Sequence, residues 1–455
     1  MDQPVGTGFS YVNTDSFLKD LPEMAEHMMI FLDKFLSLFP EYQSDDVYLA
    51  GESFAGQHIP YICKALLDRN KKDASRFVPI KGILIGNGWI DPQRTYLSYL
   101  PFAYQSGILQ GGSDAAAVVE NRVSACSKSL SSLGNRIHVV ECEAVLQEIL
   151  AQTRTSGKCI NMYDLRLRDS FPSCGMNWPP DLDYVRPYLR QDSVLRALHV
   201  SPDKTGGWVE CSGQVSGVFL AQDSRPAIEL LPDILAELPV LLFSGDKDVI
   251  CNFRGTEEAI KALDWNGGTG LEDSNGNLAV VDEWTFNGMP AGNYQTARNL
   301  THVIVYNASH MVPFDYARQS LDMLNRFVGL DISNDAAFES GLVGGDLRNQ
   351  KPSEDRPPES NNSIENDSVK QATWLAYQRA GEVVLVVVIL GAFAFGTFVY
   401  RQRKKDSRGI YFRGNGSNIR LNRAMENENE LDELVLESPD ASLDSFVGET
   451  ISPKD

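Results

Sequence analysis

Ser53 stands in a run of mostly small residues, Gly51-Glu52-Ser53-Phe54-Ala55-Gly56, directly after the apolar stretch Val47-Tyr48-Leu49-Ala50. A strand that turns sharply into a helix at a serine lifts the hydroxyl out of the backbone at the edge of a sheet, where it can attack a carbonyl. The flanking residues have to be small, because the chain passes close to itself there. The same pattern also occurs in ordinary strand-to-helix loops, so it needs partners. A serine hydroxyl is a poor nucleophile until an imidazole takes its proton, and the imidazole needs a carboxylate to hold its tautomer. Ser244-Gly245-Asp246-Lys247-Asp248 and His310-Met311-Val312-Pro313 offer both, each just beyond an apolar run. Asp246 and Asp248 could each be a turn residue capping the next helix, and Asp248 is the preferred acid. His310 is one of only six histidines, which makes a chance loop position less attractive as an explanation. Met311, adjoining His310, reads as a pocket wall, and Cys251 as a buried free thiol near the site, with a disulfide as the alternative.

Strands are expected at 47–49, 80–85, 240–243 and 303–305, from short apolar runs bounded by turn residues. After Ser53, Ile59, Ile62, Leu66 and Leu67 recur at helical spacing over 57–70. An earlier helix begins at Asp20-Leu21-Pro22-Glu23, with Asp20 as its cap, and runs along Met24, Met28, Phe31, Phe35 and Leu38 until Phe39-Pro40 stops it. A further helical segment is expected near 228–238. This alternation predicts an α/β fold: a mostly parallel sheet with helices on both faces. Ser53, Asp248 and His310 follow one another in the chain order used by α/β-hydrolases. Residues about 107–224 break the rhythm, hold most of the cysteines and include the loop-like Pro172-Ser173-Cys174-Gly175-Met176-Asn177-Trp178-Pro179-Pro180. They read as a disulfide-tied cap over the active edge of the sheet.

The 455 residues divide by composition. A domain over 1–330 is followed by a Ser-, Asn-, Asp-, Glu- and Pro-rich linker over 331–380, expected to be disordered. Residues 381–400 include an uncharged apolar run long enough, with its flanks, for one transmembrane helix. Arg401, Arg403, Lys404 and Lys405 come next, so the acidic tail 401–455 is expected in the cytosol and the large domain in the lumen. A formal net charge of −20 argues against a nucleic-acid partner. All seven cysteines precede the span, as in an oxidising compartment, and the sequons at Asn299, Asn307, Asn361 and Asn366 lie on the same side. A lumenal domain needs a signal peptide, yet Met1-Asp2-Gln3-Pro4-Val5-Gly6 has neither a basic region nor an apolar run. The expectation is that the start is missing or that the product never reaches the lumen.

Five segments together resemble the signatures of serine carboxypeptidases: Asp2-Gln3-Pro4-Val5-Gly6-Thr7-Gly8-Phe9-Ser10-Tyr11, Gly51 to Gln57, Ile85-Gly86-Asn87-Gly88-Trp89-Ile90-Asp91-Pro92, Gly245 to Asn252, and His310 to Asp315. Asn161-Met162-Tyr163-Asp164, Ser173 to Pro179 and the span with its tail are similar to the fungal pheromone-processing branch of that family. The resemblance implies a single-pass enzyme of the trans-Golgi network that trims C-terminal Lys or Arg from peptides and proproteins at acidic pH. No metal or organic cofactor is implied. Glu52 would be a protonated carboxyl donating to the substrate's terminal carboxylate, its pKa raised by a second carboxyl, and Phe54 would give an oxyanion-binding amide. Cys251 and Met311 would line the substrate site. Family members carry about a hundred more residues ahead of the Asp-Gln-Pro segment, including an Asn-Gly-Gly-Pro-Gly-Cys-Ser-Ser motif. That motif holds an oxyanion donor, a carboxylate-gripping Asn and the cysteine paired with the position of Cys211. The bridges implied here are Cys126 with Cys142 and Cys159 with Cys174. The alternatives are a catalytically impaired, membrane-tethered hydrolase-like protein and an acyl transferase.

Overall fold

The computed structural model describes residues 2–330 apart from positions 14, 15, 135, 205, 206, 210 and 274. The linker, span and tail expected over 331–455, with Asn361 and Asn366, lie outside the described residues. Among the described residues no helix is long and apolar enough to cross a membrane.

Six strands form the main sheet: β1 (Val47–Glu52), β2 (Ile80–Gly86), β3 (Val240–Gly245), β4 (Asp282–Phe286), β5 (Met289–Ala297) and β6 (Leu300–Val305). Their spatial order is β1-β2-β3-β6-β5-β4. β1, β2, β3 and β6 pair in parallel, and β5 and β4 add antiparallel strands beyond β6. The sheet is therefore mixed, with the expected parallel strands together at one end. The β4–β5 hairpin was not anticipated, because Pro290 and Gly292 make β5 read as a loop. Its signal was Asn287-Gly288, both with positive φ, the residue pair favoured in a two-residue hairpin turn.

Alternation along β2 and β3 divides the core. Ile83, Ile85, Val240 and Leu242 face one layer, while Leu84, Leu241 and Phe243 face the other. All four apolar residues of β3 are buried, which is why that strand reads as a continuous hydrophobic run. Burying each such side chain stabilises the fold by about 1.5–3 kcal/mol.

Helix α1 (Leu21–Leu38) starts and stops where expected. Asp20 does not cap it with its side chain; its carboxylate accepts instead from Asp223 N and Ser224 Oγ. The anticipated apolar stripe is buried only at its start, at Leu21, Met24 and Ala25. Ile30, Phe31, Leu38 and Phe39 are exposed. α2 (Ala55–Lys72) follows Ser53 and buries Ile59, Ile62, Leu66 and Leu67, as the spacing predicts.

A separate apolar core joins α3 (Pro92–Gln105), α4 (Asp114–Leu133) and α5 (Val140–Gln152). The Cys126–Cys142 disulfide ties α4 to α5, and Cys159–Cys174 closes the hairpin of strands Lys158–Asn161 and Asp164–Ser170. Both are the bridges that the resemblance implied.

Candidate active site

Ser53 sits between β1 and α2 with φ +62, a left-handed conformation that costs a serine energy and recurs at strained functional turns. Crowding explains the small neighbours. A Cβ on Gly51 would come within 2.7 Å of Ala55 Cβ, and one on Gly56 within 2.7 Å of Trp89 N. The turn is pinned by Ser53 N donating to Gly86 O (3.0 Å) and Trp89 N donating to Ser53 O (2.8 Å). Phe54 precedes the first turn of α2, and its N–H donates to no group among the described residues. An amide free at a helix start is placed to receive negative charge.

Asp248 and His310 lie beyond the C-terminal ends of β3 and β6, which are neighbours in the sheet. His310 Nδ1 meets Asp248 Oδ2 at 2.7 Å, and both residues are buried. The same Asp248 oxygen accepts from Asn87 Nδ2 (2.8 Å), while Oδ1 accepts from Ile250 N (3.0 Å). Asp246 instead meets Lys247 Nζ at 3.1 Å, so of the two aspartates it is Asp248 that meets His310. Burial opposes the charged imidazole, but the charge and hydrogen bond of Asp248, with Glu52 beside it, lift the His310 pKa above the ordinary histidine value.

Cys251 is buried and free, as expected. Its Sγ lies within 4.8 Å of a ligating atom of Asp248 and of His310. Burial, with Asp248 and Glu52 nearby, holds its thiol protonated. A metal ion on these three groups would have to break the Asp248–His310 bond, so the arrangement suits proton transfer rather than ligation.

Glu52 adjoins the serine, and its pKa is raised to about 7. Burial is the first cause; His310 opposes it, and Asp248 and Asp315 add to it. The desolvated turn thus supplies most of the effect that the resemblance assigned to a second carboxyl. Met311 is half-buried beside His310, its N–H donating to Ser309 Oγ at 3.3 Å. Asn299 and Asn307 are exposed, and their side-chain amides donate to Leu235 O and Tyr316 Oη, each at 3.0 Å.

A cavity of about 660 Å³ opens beside Phe54, walled by His58, His138, Glu143, Val215 and Phe219 among others. His58 meets Phe54 and Phe219 edge-on, and His138 stacks on Phe54. Burial lowers the His58 pKa to about 4, so that ring is neutral near neutrality, whereas the hydrogen bond from His138 keeps Glu143 ionised below the usual carboxylate range. Sequence reading missed these walls because they come from distant segments with no shared pattern. It also assigned no role to Asn87, although the Gly86-Asn87-Gly88 turn after β2 was visible as a motif.

A family model described as serine carboxypeptidase matches residues 1–329. The pheromone-processing carboxypeptidase KEX1 of Tuber melanosporum is 52% identical over 458 residues, covering 96% of this chain and 73% of that protein. Its namesake in Fusarium vanettenii is 49% identical over 462 residues, covering 96% and 74%. The crystal structure of KEX1(delta)P, a prohormone-processing carboxypeptidase from Saccharomyces cerevisiae, is similar with a TM-score of 0.68 and 37% identity, covering 72% of this chain and 73% of that one.

Proposed function

The chain belongs to the serine carboxypeptidase family, and from that premise we propose that Ser53 is its nucleophile, His310 its general base and Asp248 the group that orients His310. The observation that carries this is the buried 2.7 Å pair of Asp248 and His310 at the strand edge where Ser53 is held in its left-handed turn. His310 takes the Ser53 proton as the hydroxyl attacks the last peptide carbonyl. The Phe54 amide receives charge on the oxyanion, His310 protonates the departing amine, and water then releases the acyl group by the same relay. Glu52, protonated below about pH 7, donates a hydrogen bond to the substrate's free carboxylate. An endopeptidase would have no use for such a donor.

The substrate is a peptide or proprotein ending in Lys or Arg. Support comes from the processing relatives and from the ionised Glu143 on the cavity wall beside Phe54. The sequence over 381–400, the cysteines and the exposed Asn299 and Asn307 favour a lumenal, membrane-anchored, glycosylated enzyme of the late secretory pathway. The family assignment favours an enzyme over the tethered, inactive alternative. Release of C-terminal Lys or Arg from synthetic peptides, compared with Ser53→Ala, tests the reading. Release that depends on Ser53 and prefers basic over neutral ends supports it; equal release by the variant overturns it.

A further inference from the structure

The hairpin within the 107–224 cap, closed by Cys159–Cys174, touches the site directly. Its loop joins the two segments that carry Asp248 and His310. Met162 O accepts from Val249 N and Ile250 N, both at 3.1 Å, and Leu165 N donates to Lys247 O at 3.0 Å. Next to it, Tyr163 O accepts from His310 N at 2.8 Å, and the Tyr163 ring lies 5.1 Å from the imidazole. The Cys159–Cys174 bridge anchors this loop, since Met162 N donates to Cys174 O at 2.9 Å.

Arg166 completes the connection with its side chain. Asp164 holds its guanidinium bidentately, Nε to Oδ1 at 2.8 Å and Nη2 to Oδ2 at 2.7 Å. Nη1 then reaches Asn307 O at 2.6 Å, and Nη2 lies 3.4 Å from Asp315 Oδ2. Asp315 Oδ2 in turn accepts from Ser309 N at 2.6 Å. The guanidinium therefore grips the His310 loop three residues before the imidazole and five after it. A point charge on a flexible stem cannot make this planar set of contacts.

We propose that Arg166 is a positioning residue for the reaction: held by Asp164, it locks Asn307 and Asp315 to the cap hairpin and so fixes the imidazole of His310 against Asp248. The role rests on the assignment of Ser53, Asp248 and His310 above. It also has an electrostatic side. Glu52 is faced by His310, Asp248, Asp315 and the neutral Cys251 thiol, and His310 by Asp248 and Glu52. Arg166 and Asp164 stand behind Asp315, so removing the guanidinium leaves the Asp315 charge unbalanced toward Glu52.

The experiment compares wild type, Arg166→Met, Arg166→Lys, Asp315→Asn and the Arg166→Met/Asp315→Asn double variant. A fluorophosphonate that labels the catalytic serine gives a labelling rate per folded molecule, and peptide hydrolysis gives kcat and KM against pH. Misplacing a reacting group by about 1 Å costs on the order of 10²-fold, so Arg166→Met should lose about that much in labelling rate and kcat, with KM changed less than about threefold. Arg166→Lys should fall between Met and wild type. Coupled residues lose less together than the product of their separate losses, so the double variant should resemble the worse single one. The Arg166→Met acid-to-alkaline fall in substrate binding should move to higher pH as Glu52 holds its proton longer. Labelling by Arg166→Met within about twofold of wild type, or losses that multiply in the double variant, overturns the proposal. Should Arg166→Met fail to fold, Arg166→Lys and Asp315→Asn decide it by the same rates. Wild type that is not labelled at Ser53 would instead remove the catalytic assignment itself.

Discussion

Asn87 donates through Nδ2 to Asp248 Oδ2 over 2.8 Å, on the same oxygen that meets His310 Nδ1. Its own Oδ1 accepts from Gly245 N at 3.2 Å, and its backbone N–H donates to Phe243 O at 2.7 Å. The side chain is fully buried and its φ is +43, a conformation that asparagine tolerates better than most residues. β2 and the end of β3 thus hold the carboxylate from behind while His310 uses its front. Asn87→Ala leaves a buried charge with one donor fewer. A hydrogen bond to a charged group contributes about 1.5–3 kcal/mol, so kcat should fall about 10- to 100-fold while the variant remains folded by circular dichroism.

Asp248→Asn keeps the shape of the acid but presents an amide to Nδ1, which favours the wrong imidazole tautomer. In serine hydrolases of this design the expected loss in kcat is about 10⁴-fold. Steady-state hydrolysis of a peptide ending in Arg measures it. A loss below about tenfold would mean that His310 does not depend on this carboxylate for its tautomer.

The pH behaviour follows from two coupled groups. In the proposed role Glu52 binds the substrate carboxylate only while protonated, so KM should be low below about pH 7 and rise as pH climbs through that value. Ionised Glu52 also raises the His310 pKa, and only neutral His310 can act as base. Glu52→Gln removes that negative charge. The acid limb of kcat should then move to lower pH, and the rise of KM near neutrality should flatten. The linkage to stability has a definite sign: the folded Glu52 pKa lies above its ordinary value of 4.5, so folding takes up a proton between about pH 4.5 and 7. Its contribution therefore weakens as pH rises through that window. Thermal unfolding of Glu52→Gln relative to wild type should show a larger gain at pH 8 than at pH 4.

Much of this site was legible before any coordinates. The roles proposed for Ser53, Asp248 and His310 rest on local chemistry: small residues at a turn, an acid after an apolar strand, a histidine after another. Chain order then narrows the fold. Glu52 was legible as a proton-holding carboxyl, but the cause of its raised pKa was not, since burial depends on everything that packs over the turn. Arg166 carried no signal in the sequence. Its partners Asn307 and Asp315 lie far away in sequence, and no local pattern announces a contact at such separation. α1 failed differently. Its apolar spacing was real, but helical periodicity says which side chains share a face and not whether anything covers that face.

The two disulfides should separate stability from catalysis. Both bridges are buried in the core of α3, α4 and α5, but Cys159–Cys174 alone also anchors the loop that touches His310. Closing a loop of this length constrains the unfolded chain by about 3 kcal/mol. Cys126→Ala/Cys142→Ala should therefore lower the melting temperature and leave kcat of the folded fraction close to wild type. Cys159→Ala/Cys174→Ala should lower both. Differential scanning calorimetry and active-site titration on the same samples distinguish the two, and equal kcat losses in both pairs would contradict the division.

The exposed face of α1 should govern solubility. Phe35 stacks on Phe31 and Tyr42 and packs on Phe39, Leu38 is 74% exposed, and β1 pairs only with β2 among the described residues. An exposed apolar patch and an unpaired strand edge each invite association. Leu38→Lys adds a charge at a position with little to lose, and substitutions at such sites change stability by about 0.5 kcal/mol or less. The variant should keep wild-type activity and melting temperature while light scattering shows slower aggregation at a given concentration. Ala at the same position should give a smaller gain, because it shrinks the patch without the repulsion that keeps copies apart.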